Sequence, residues 1–295
     1  CKMKFLIIIP THNEEKNILF CLESLKKQTF RDYKIVVVND GSTDQTQTIV
    51  NEFAAAHPDF EIKNLEKSEH QPGAKVVRTF KKGLEMVDLK DFDIICKFDA
   101  DIIFPENYLK KIHDVYENNP TAGMVSGIVK IKKSVFENKL AFDFRDEKKQ
   151  WVFENISSKN HVRGPIKSYR KECFLEMNGL RPVLGWDNID VMLAKKHGWE
   201  VITIKDLWVK HLRPTAYKYK TQKAEKLGEY FYNIGLSLPL AVISSGKSSL
   251  KNRSIAEFLL TMKSFLIQKG ERNLSKEEIK YIRNLRWSQI FKKNF

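Results

Sequence analysis

Short, largely β-branched apolar runs alternate with amphipathic stretches along the first part of the chain. Phe5–Ile9, Lys34–Val38 and Ile94–Phe98 have the length and largely apolar composition of strands buried on both faces, and residues 60–65 read as a further, shorter strand. Ile18, Leu19, Leu22 and Leu25 give the first intervening stretch a helical apolar face. Further helices are predicted from the Asn39–Asp44 turn through Phe53, from the His70–Ala74 loop to Met86, and from Tyr108 to Tyr116, where Pro105 opens the first turn. Four such alternations predict an α/β fold built on a mainly parallel, doubly wound sheet. Beyond them, Met124–Lys132, Val162–Tyr169 and Glu200–Ile204 read as strands, Lys171–Met177 as a short helix, and the stretch from Gly185 through His197 as a longer one. Residues 133–160 are polar and aromatic without a clear period, and read as an insertion over a crevice.

At Ala216 the pattern changes, dividing the chain into residues 1–215 and a helical extension, 216–295. In the extension Tyr217, Tyr219, Tyr230, Phe231 and Tyr232 stand among lysines, and apolar residues at 255, 258, 259, 262, 265 and 266 form a helical stripe. Charge sharpens the division. Of a formal +14, residues 205–295 hold 19 Lys or Arg against 7 Asp or Glu, whereas residues 1–204 hold 32 against 30. Such a basic tail calls for an anionic partner: nucleic acid, an anionic lipid surface or a phosphate-bearing substrate. No nucleic-acid recognition module is visible, and rings and lysines beside an amphipathic helix suit a membrane interface. The same helix could instead pack on the first domain or bury its face against a second copy, giving a homodimer. No run approaches the eighteen or so apolar residues of a spanning helix, and Phe5–Ile9 is too short for a secretory core. Cys21, Cys96 and Cys173 lack metal spacing and read as small apolar fillers in a reducing compartment. Together these features predict a cytoplasmic protein lying peripherally at the inner face of the membrane.

Chemistry enters at Asp99-Ala-Asp101, where a buried strand stops at two carboxylates. Polar groups at the carboxyl ends of such strands face the crevice of an open α/β sheet. Two acids one residue apart can share a hard cation and a bound phosphate or ribose. Alone, the pair reads equally as a polar strand exit, and Asn39–Asp44 as ordinary turn and capping chemistry through Asp40 and Ser42.

Five features nevertheless fall in one order: Pro10-Thr-His-Asn-Glu-Glu15, Asn39-Asp-Gly-Ser-Thr-Asp44, Gly73-Ala-Lys with Arg78, Asp99-Ala-Asp101, and Gly185-Trp-Asp-Asn-Ile-Asp190. Over residues 4 to 215 the chain thereby resembles the family 2 glycosyltransferases, inverting enzymes of the GT-A fold that use nucleotide-diphosphate sugars. The resemblance implies donor contacts at Pro10, Thr11, Asn13, Glu14, Asn39, Asp40, Arg78 and Asp99. It implies a divalent metal, Mn2+ or Mg2+, at Asp99, Asp101 and His211. An acceptor side would be formed by Trp186, His161 and Arg163, and the acceptor would be a lipid-linked or growing polysaccharide. The family's usual base sits in a Glu-Asp pair opening a helix, which here is matched by Asp187-Asn188, and an amide cannot accept the proton. Asp187, or Asp190 one turn later, is expected to serve instead. If neither did, the chain would be a non-catalytic sugar-nucleotide binder. A nucleotidyltransferase would want a glycine-rich loop after the first strand, where Pro10–Glu14 stands.

Overall fold

The computed structural model describes residues 3–66, 73–132, 150–154, 158–213 and 223–291. The first half follows the predicted alternation: β1 (Phe5–Thr11), α1 (Ile18–Lys26), β2 (Tyr33–Asp40), α2 (Thr46–Ala56), β3 (Phe60–Leu65), α3 (Ala74–Leu84) and β4 (Ile94–Phe98). These strands lie parallel in the order β3-β2-β1-β4. Every residue of β1 and β4 except Pro10 is buried, Lys97 included, as strands covered on both faces require. On α1 the buried face is Ile18, Cys21, Leu22 and Leu25, while Leu19 points outward. Neither Asp40 nor Ser42 caps α2: its cap position is Gln45, and just before it Asp44 accepts from the Thr46 amide at 3.0 Å.

The second half departs from a parallel sheet. The remaining elements are β5 (Ile102–Ile103), α4 (Tyr108–Asn118), β6 (Ala122–Lys132), β7 (Trp151–Phe153), β8 (Ile166–Arg170), α5 (Lys171–Glu176), α6 (Trp186–Lys196) and β9 (Glu200–His211). Strand β8 inserts between β4 and β6 and runs antiparallel to both, β6 and β9 are parallel, and β5 and β9 antiparallel. The sheet is therefore mixed across its middle. Strand β9 continues to His211, well past the predicted end at Ile204. Strand β7, inside the predicted insertion, pairs with β6. Residues 133–149 of that insertion lie outside the described residues.

Four helices complete the chain: α7 (Lys223–Asn233), α8 (Leu238–Asn252), α9 (Ile255–Ile267) and α10 (Lys276–Phe291). The predicted boundary at 215/216 falls in 214–222, outside the described residues, with Tyr217 and Tyr219. The extension packs on the sheet domain: Phe231, Ile234, Leu240, Met262, Phe265 and Ile282 share one buried cluster with Leu6 and Ile8 of β1 and Trp186 and Ile189 of α6. Asn233 Nδ2 donates to the Leu184 carbonyl at 3.1 Å, and Arg181 pairs with Glu278 at 2.8 Å. Among the described residues no helix is long and apolar enough to cross a membrane.

Candidate active site

The carboxyl ends of β1, β2 and β4 open onto a crevice of about 280 Å³ lined by Pro10, Thr11, His12, Glu14, Asp40, Gly73, Lys75, Thr79, Asp99, Asp101 and Arg213. Topology dictates this: where β1 is flanked by β2 on one side and β4 on the other, their exits diverge and leave a cleft. The crevice thus gathers Pro10, Thr11, Glu14, Asp40, Asp99 and Asp101 of the predicted donor and metal residues. It leaves out four, of which His211 stands behind Asp101. Arg78 is exposed on α3, and the cation that this helix brings to the crevice is Lys75, whose Nζ lies 3.5 Å from Asp40 Oδ2. Asn39 is fully buried, its Oδ1 accepting from the Ser42 hydroxyl at 2.5 Å and its Nδ2 donating to Asn64 Oδ1 at 2.9 Å. Asn13, with φ of 53°, accepts from the Thr43 amide at 2.8 Å. Asn39 and Asn13 therefore shape the loops beneath the crevice instead of lining it.

Asp99 and Asp101 are handled differently. Asp99 is paired with Lys97, a residue of β4 that is almost fully buried. Asp101 stands 3.5 Å from Nε2 of His211 and 3.4 Å from Nε of Arg213, which also bonds Glu14. On the far side of the imidazole, Nδ1 donates to Glu154 at 3.1 Å, and Glu154 also pairs with Arg163. Burial opposes the charge on Asp101, but the hydrogen bond and charge of His211, with Arg213, outweigh it and hold the carboxyl below its usual range. Burial likewise works against a charged His211, and the two carboxylates overcome it, raising the imidazole to about 9. Glu14 shifts upward because burial outweighs its bonds to Asn17 and Arg213. Among the described residues, the ligand group that gathers within 4.8 Å is His113, Asp114 and Glu117 on α4. Asp99 does not join Asp101 and His211 in such a group, being drawn to Lys97.

The acceptor-side residues are placed unexpectedly. Lys97 of β4 and Lys167 of β8 are register partners across an antiparallel pair, an arrangement that repels unless each charge is matched. Each is matched: Asp99 takes Lys97, and both Asp190 oxygens accept from Lys167 at 2.7 Å. The Trp186 ring lies 5.1 Å from one ammonium and 5.4 Å from the other, within cation–π reach. Trp186 is thus a core residue beneath the site, and Asp190, which also accepts from Tyr169 at 2.6 Å, is buried and fully engaged. Its carboxyl is raised by that burial despite Lys167. Arg163, expected on the acceptor side, is buried against Glu154.

Asp187 behaves oppositely. It opens α6 behind Gly185 and is half-buried. Among the described residues no group donates to its carboxylate. Its Oδ2 sits where a Cβ on Gly164 would touch it at 3.5 Å, and the Gly164 carbonyl accepts from Lys97 at 3.3 Å. Gly164 therefore lies beside Asp187 while its carbonyl holds the lysine that pairs with Asp99. His161 lies close enough to feel Asp187 and Lys167, and burial lowers its pKa to about 4.

His12, which donates to the Asp40 carbonyl at 2.7 Å, and Lys75 stand inside the sequence motifs but had no role assigned there, and Lys97, Glu154 and Arg213 were not singled out. Lys97 was visible as the one charge inside the Ile94–Phe98 run.

The chain is similar to known glycosyltransferases in sequence and in fold. Poly(ribitol-phosphate) beta-N-acetylglucosaminyltransferase TarS of Staphylococcus aureus is 42% identical over 73 residues, 24% of this chain and 13% of that protein. Glucosyl-dolichyl phosphate glucuronosyltransferase of Haloferax volcanii is 25% identical over 187 residues, 60% of this chain and 56% of that one. The chain therefore matches well under two thirds of either relative's length. Among solved structures, the mannosyltransferase PcManGT of Pyrobaculum calidifontis, in complex with GDP-Man and Mn2+, superposes with a TM-score of 0.58 at 18% identity, covering 98% of this chain and 86% of that one. That likeness shows a GT-A fold. The family model for glycosyl transferase family 2 matches residues 6–174, a span that runs from β1 through both acids of the crevice to α5, and the chain belongs to that family.

Proposed function

We propose that the chain is an inverting, metal-dependent glycosyltransferase that moves a sugar from a nucleotide-diphosphate sugar to a hydroxyl of a lipid-linked or growing polysaccharide acceptor. The observation that carries this is the pairing of a crevice holding Asp40, Lys75 and Asp101, with His211 beside Asp101, and a carboxylate at the mouth of α6, Asp187, to which no group donates among the described residues. In this reading Pro10, Thr11 and Asp40 contact the nucleoside, Asp99 the ribose, and Lys75 the diphosphate.

The donor set fits a divalent cation. Asp101 offers a carboxylate and His211 an imidazole nitrogen whose partner nitrogen is already fixed, leaving the remaining positions to diphosphate oxygens. An imidazole ligand favours Mn2+ over Mg2+, and PcManGT was solved with Mn2+. Bound there, the metal would offset negative charge on the departing diphosphate. Lys75 and Arg213 add fixed positive charge to the same crevice. Asp187 accepts the proton of the acceptor hydroxyl as its oxygen attacks the anomeric carbon and the bond from that carbon to the phosphate oxygen breaks. Asn188, beside it, takes no part in the proton transfer.

The relatives' names support both acceptor classes: TarS is named for a poly(ribitol-phosphate), the Haloferax enzyme for a dolichyl phosphate. A membrane-side acceptor also agrees with the extension, where Ile255, Leu259, Leu260, Leu266 and Ile267 are exposed on α9 and residues 238–269 carry five basic residues against one acid. A peripheral position at the inner, cytoplasmic face of an anionic membrane follows from the same reading.

The test is a donor screen with UDP-, GDP- and dTDP-sugars, with and without Mn2+, reading nucleotide diphosphate release and transfer to candidate acceptors. Release from one donor, abolished by EDTA and restored by Mn2+, is expected. Donor binding without release, in the presence of lipid-linked and polysaccharide acceptors, would make the protein a binder and not a transferase.

A further inference from the structure

Glu154 is 1% exposed, carries a carboxylate, and lies just past β7, in the inserted segment. Its backbone N–H donates to the Val129 carbonyl at 3.1 Å, extending the β6–β7 ladder. His211 ends β9, opposite Ile131 on the other edge of β6. The two side chains meet across β6, where Glu154 Oε2 accepts from His211 Nδ1 at 3.1 Å and from Arg163.

We propose that Glu154 is a positioning residue for the metal site: from the inserted segment it fixes the His211 ring so that Nε2 is directed at Asp101. This rests on the reading of Asp101 and His211 as metal ligands. The physical argument has two steps. A hydrogen bond to a carboxylate keeps the proton on Nδ1, so Nε2, the atom 3.5 Å from Asp101, is the nitrogen where a cation would replace the proton, and such a partner also raises ligand basicity and restrains ring rotation. Burying three charged side chains is then a cost that stability alone does not explain, since a well-packed apolar pair replaces a buried ion pair at little or no loss. Arg163 completes the arrangement by holding Glu154 ionised and oriented. Through Glu154 the inserted segment therefore supplies part of the metal site's framework.

Mn2+ alone is the probe, titrated into the full chain and followed by the electron paramagnetic resonance of free Mn2+, with no donor present. His211→Ala is the control for the ligand. Glu154→Leu with Arg163→Met removes the pair without leaving a lone buried charge, and is expected to weaken Mn2+ binding about 10- to 100-fold while the metal-free protein melts near the parent. Glu154→Gln with Arg163→Met, whose amide oxygen still accepts from Nδ1, is expected to lose less, and it carries the test if the Leu variant folds poorly. Parent-like Mn2+ affinity in both double variants, with binding lost in His211→Ala, overturns the role of Glu154 and leaves the metal reading standing. Absence of Mn2+ binding by the parent, or parent-like binding by His211→Ala, overturns both.

Discussion

At the scale of single residues, two aspartates three positions apart on α6 have opposite environments, and that separates their roles. Asp190 neutralises a lysine that is 0% exposed, so Asp190→Asn leaves a buried ammonium without its counter-charge, a defect worth about 3–5 kcal/mol. It should appear as a lower denaturant midpoint, with donor affinity kept in whatever fraction folds. Asp187→Asn should leave the denaturant midpoint near the parent's and cut transfer about 10²- to 10⁴-fold, the usual contribution of a general base. Equal loss of transfer in both variants at unchanged stability would remove the distinction. His161 gives a pH signature of its own. Its pKa is lowered to about 4 by burial and by Lys167, so between about 6.5, the usual histidine value, and 4 the unfolded chain binds a proton that the folded chain refuses. Stability from this group is complete above that window and is lost as pH falls through it. The loss is modest because the ring is partly in solvent. In His161→Gln the melting temperature should fall less steeply across that window than in the parent, and identical slopes would show that His161 does not titrate as its surroundings demand.

At the scale of elements, glycines on the extension's helices offer a paired test of packing. Gly228 in α7 lies so close to α9 that a Cβ would meet the Thr261 carbonyl oxygen at 2.3 Å, whereas a Cβ on Gly246 of α8 would meet nothing within 4 Å. Alanine gains about 1 kcal/mol over glycine in a helix interior. Gly246→Ala should therefore raise the melting temperature, while Gly228→Ala should lower it, because forcing backbones apart costs more, about 1–3 kcal/mol. If both raised it, α7 and α9 would not be packed as described. Strands were the elements most legible in the sequence, since β1, β2 and β4 are buried on both faces and their runs are largely apolar. The antiparallel insertion of β8 was not legible, because five residues between β4 and α5 carry no mark of direction, and its Lys167 reads as a solvated residue until its partner across the sheet is known. Glu154 and Arg213 were missed for a related reason: each owes its place to a partner far along the chain, at His211 and Glu14. Asp99 and Asp101 were legible because both stand at one strand's exit. Asn39 was misplaced because resemblance marks a turn as a whole and does not separate its inward amide from the neighbouring Asp40.

At the scale of the whole molecule, the extension is tied to the N-terminal mouth of α6. Tyr230 of α7 packs where a Cβ on Gly185 would stand, 2.3 Å away, and Gly185 precedes Trp186 and Asp187 with φ of 90°. Phe265 of α9 and Phe231 of α7 lie in the cluster that holds Trp186. The inner face of α9 is thus committed to the fold, and its outer face is not: Ile255, Leu259 and Leu266 are 80, 61 and 63% exposed, with Lys263 between them. Apolar side chains flanked by Lys247, Lys251, Arg253 and Lys269 match an anionic bilayer surface, where rings and alkyl groups enter the headgroup layer and basic residues meet lipid phosphate. Leu259→Glu with Leu266→Glu places two carboxylates on that face without touching the buried one. The parent should float with vesicles containing phosphatidylglycerol, less with phosphatidylcholine alone, and less as salt rises. The double variant should remain in solution while releasing nucleotide diphosphate from its donor at the parental rate. If the parent ignored vesicles and the double variant turned a dimer into a monomer in sedimentation, the apolar face of α9 would be the contact between two copies of the chain, and the acceptor would have to be sought in solution.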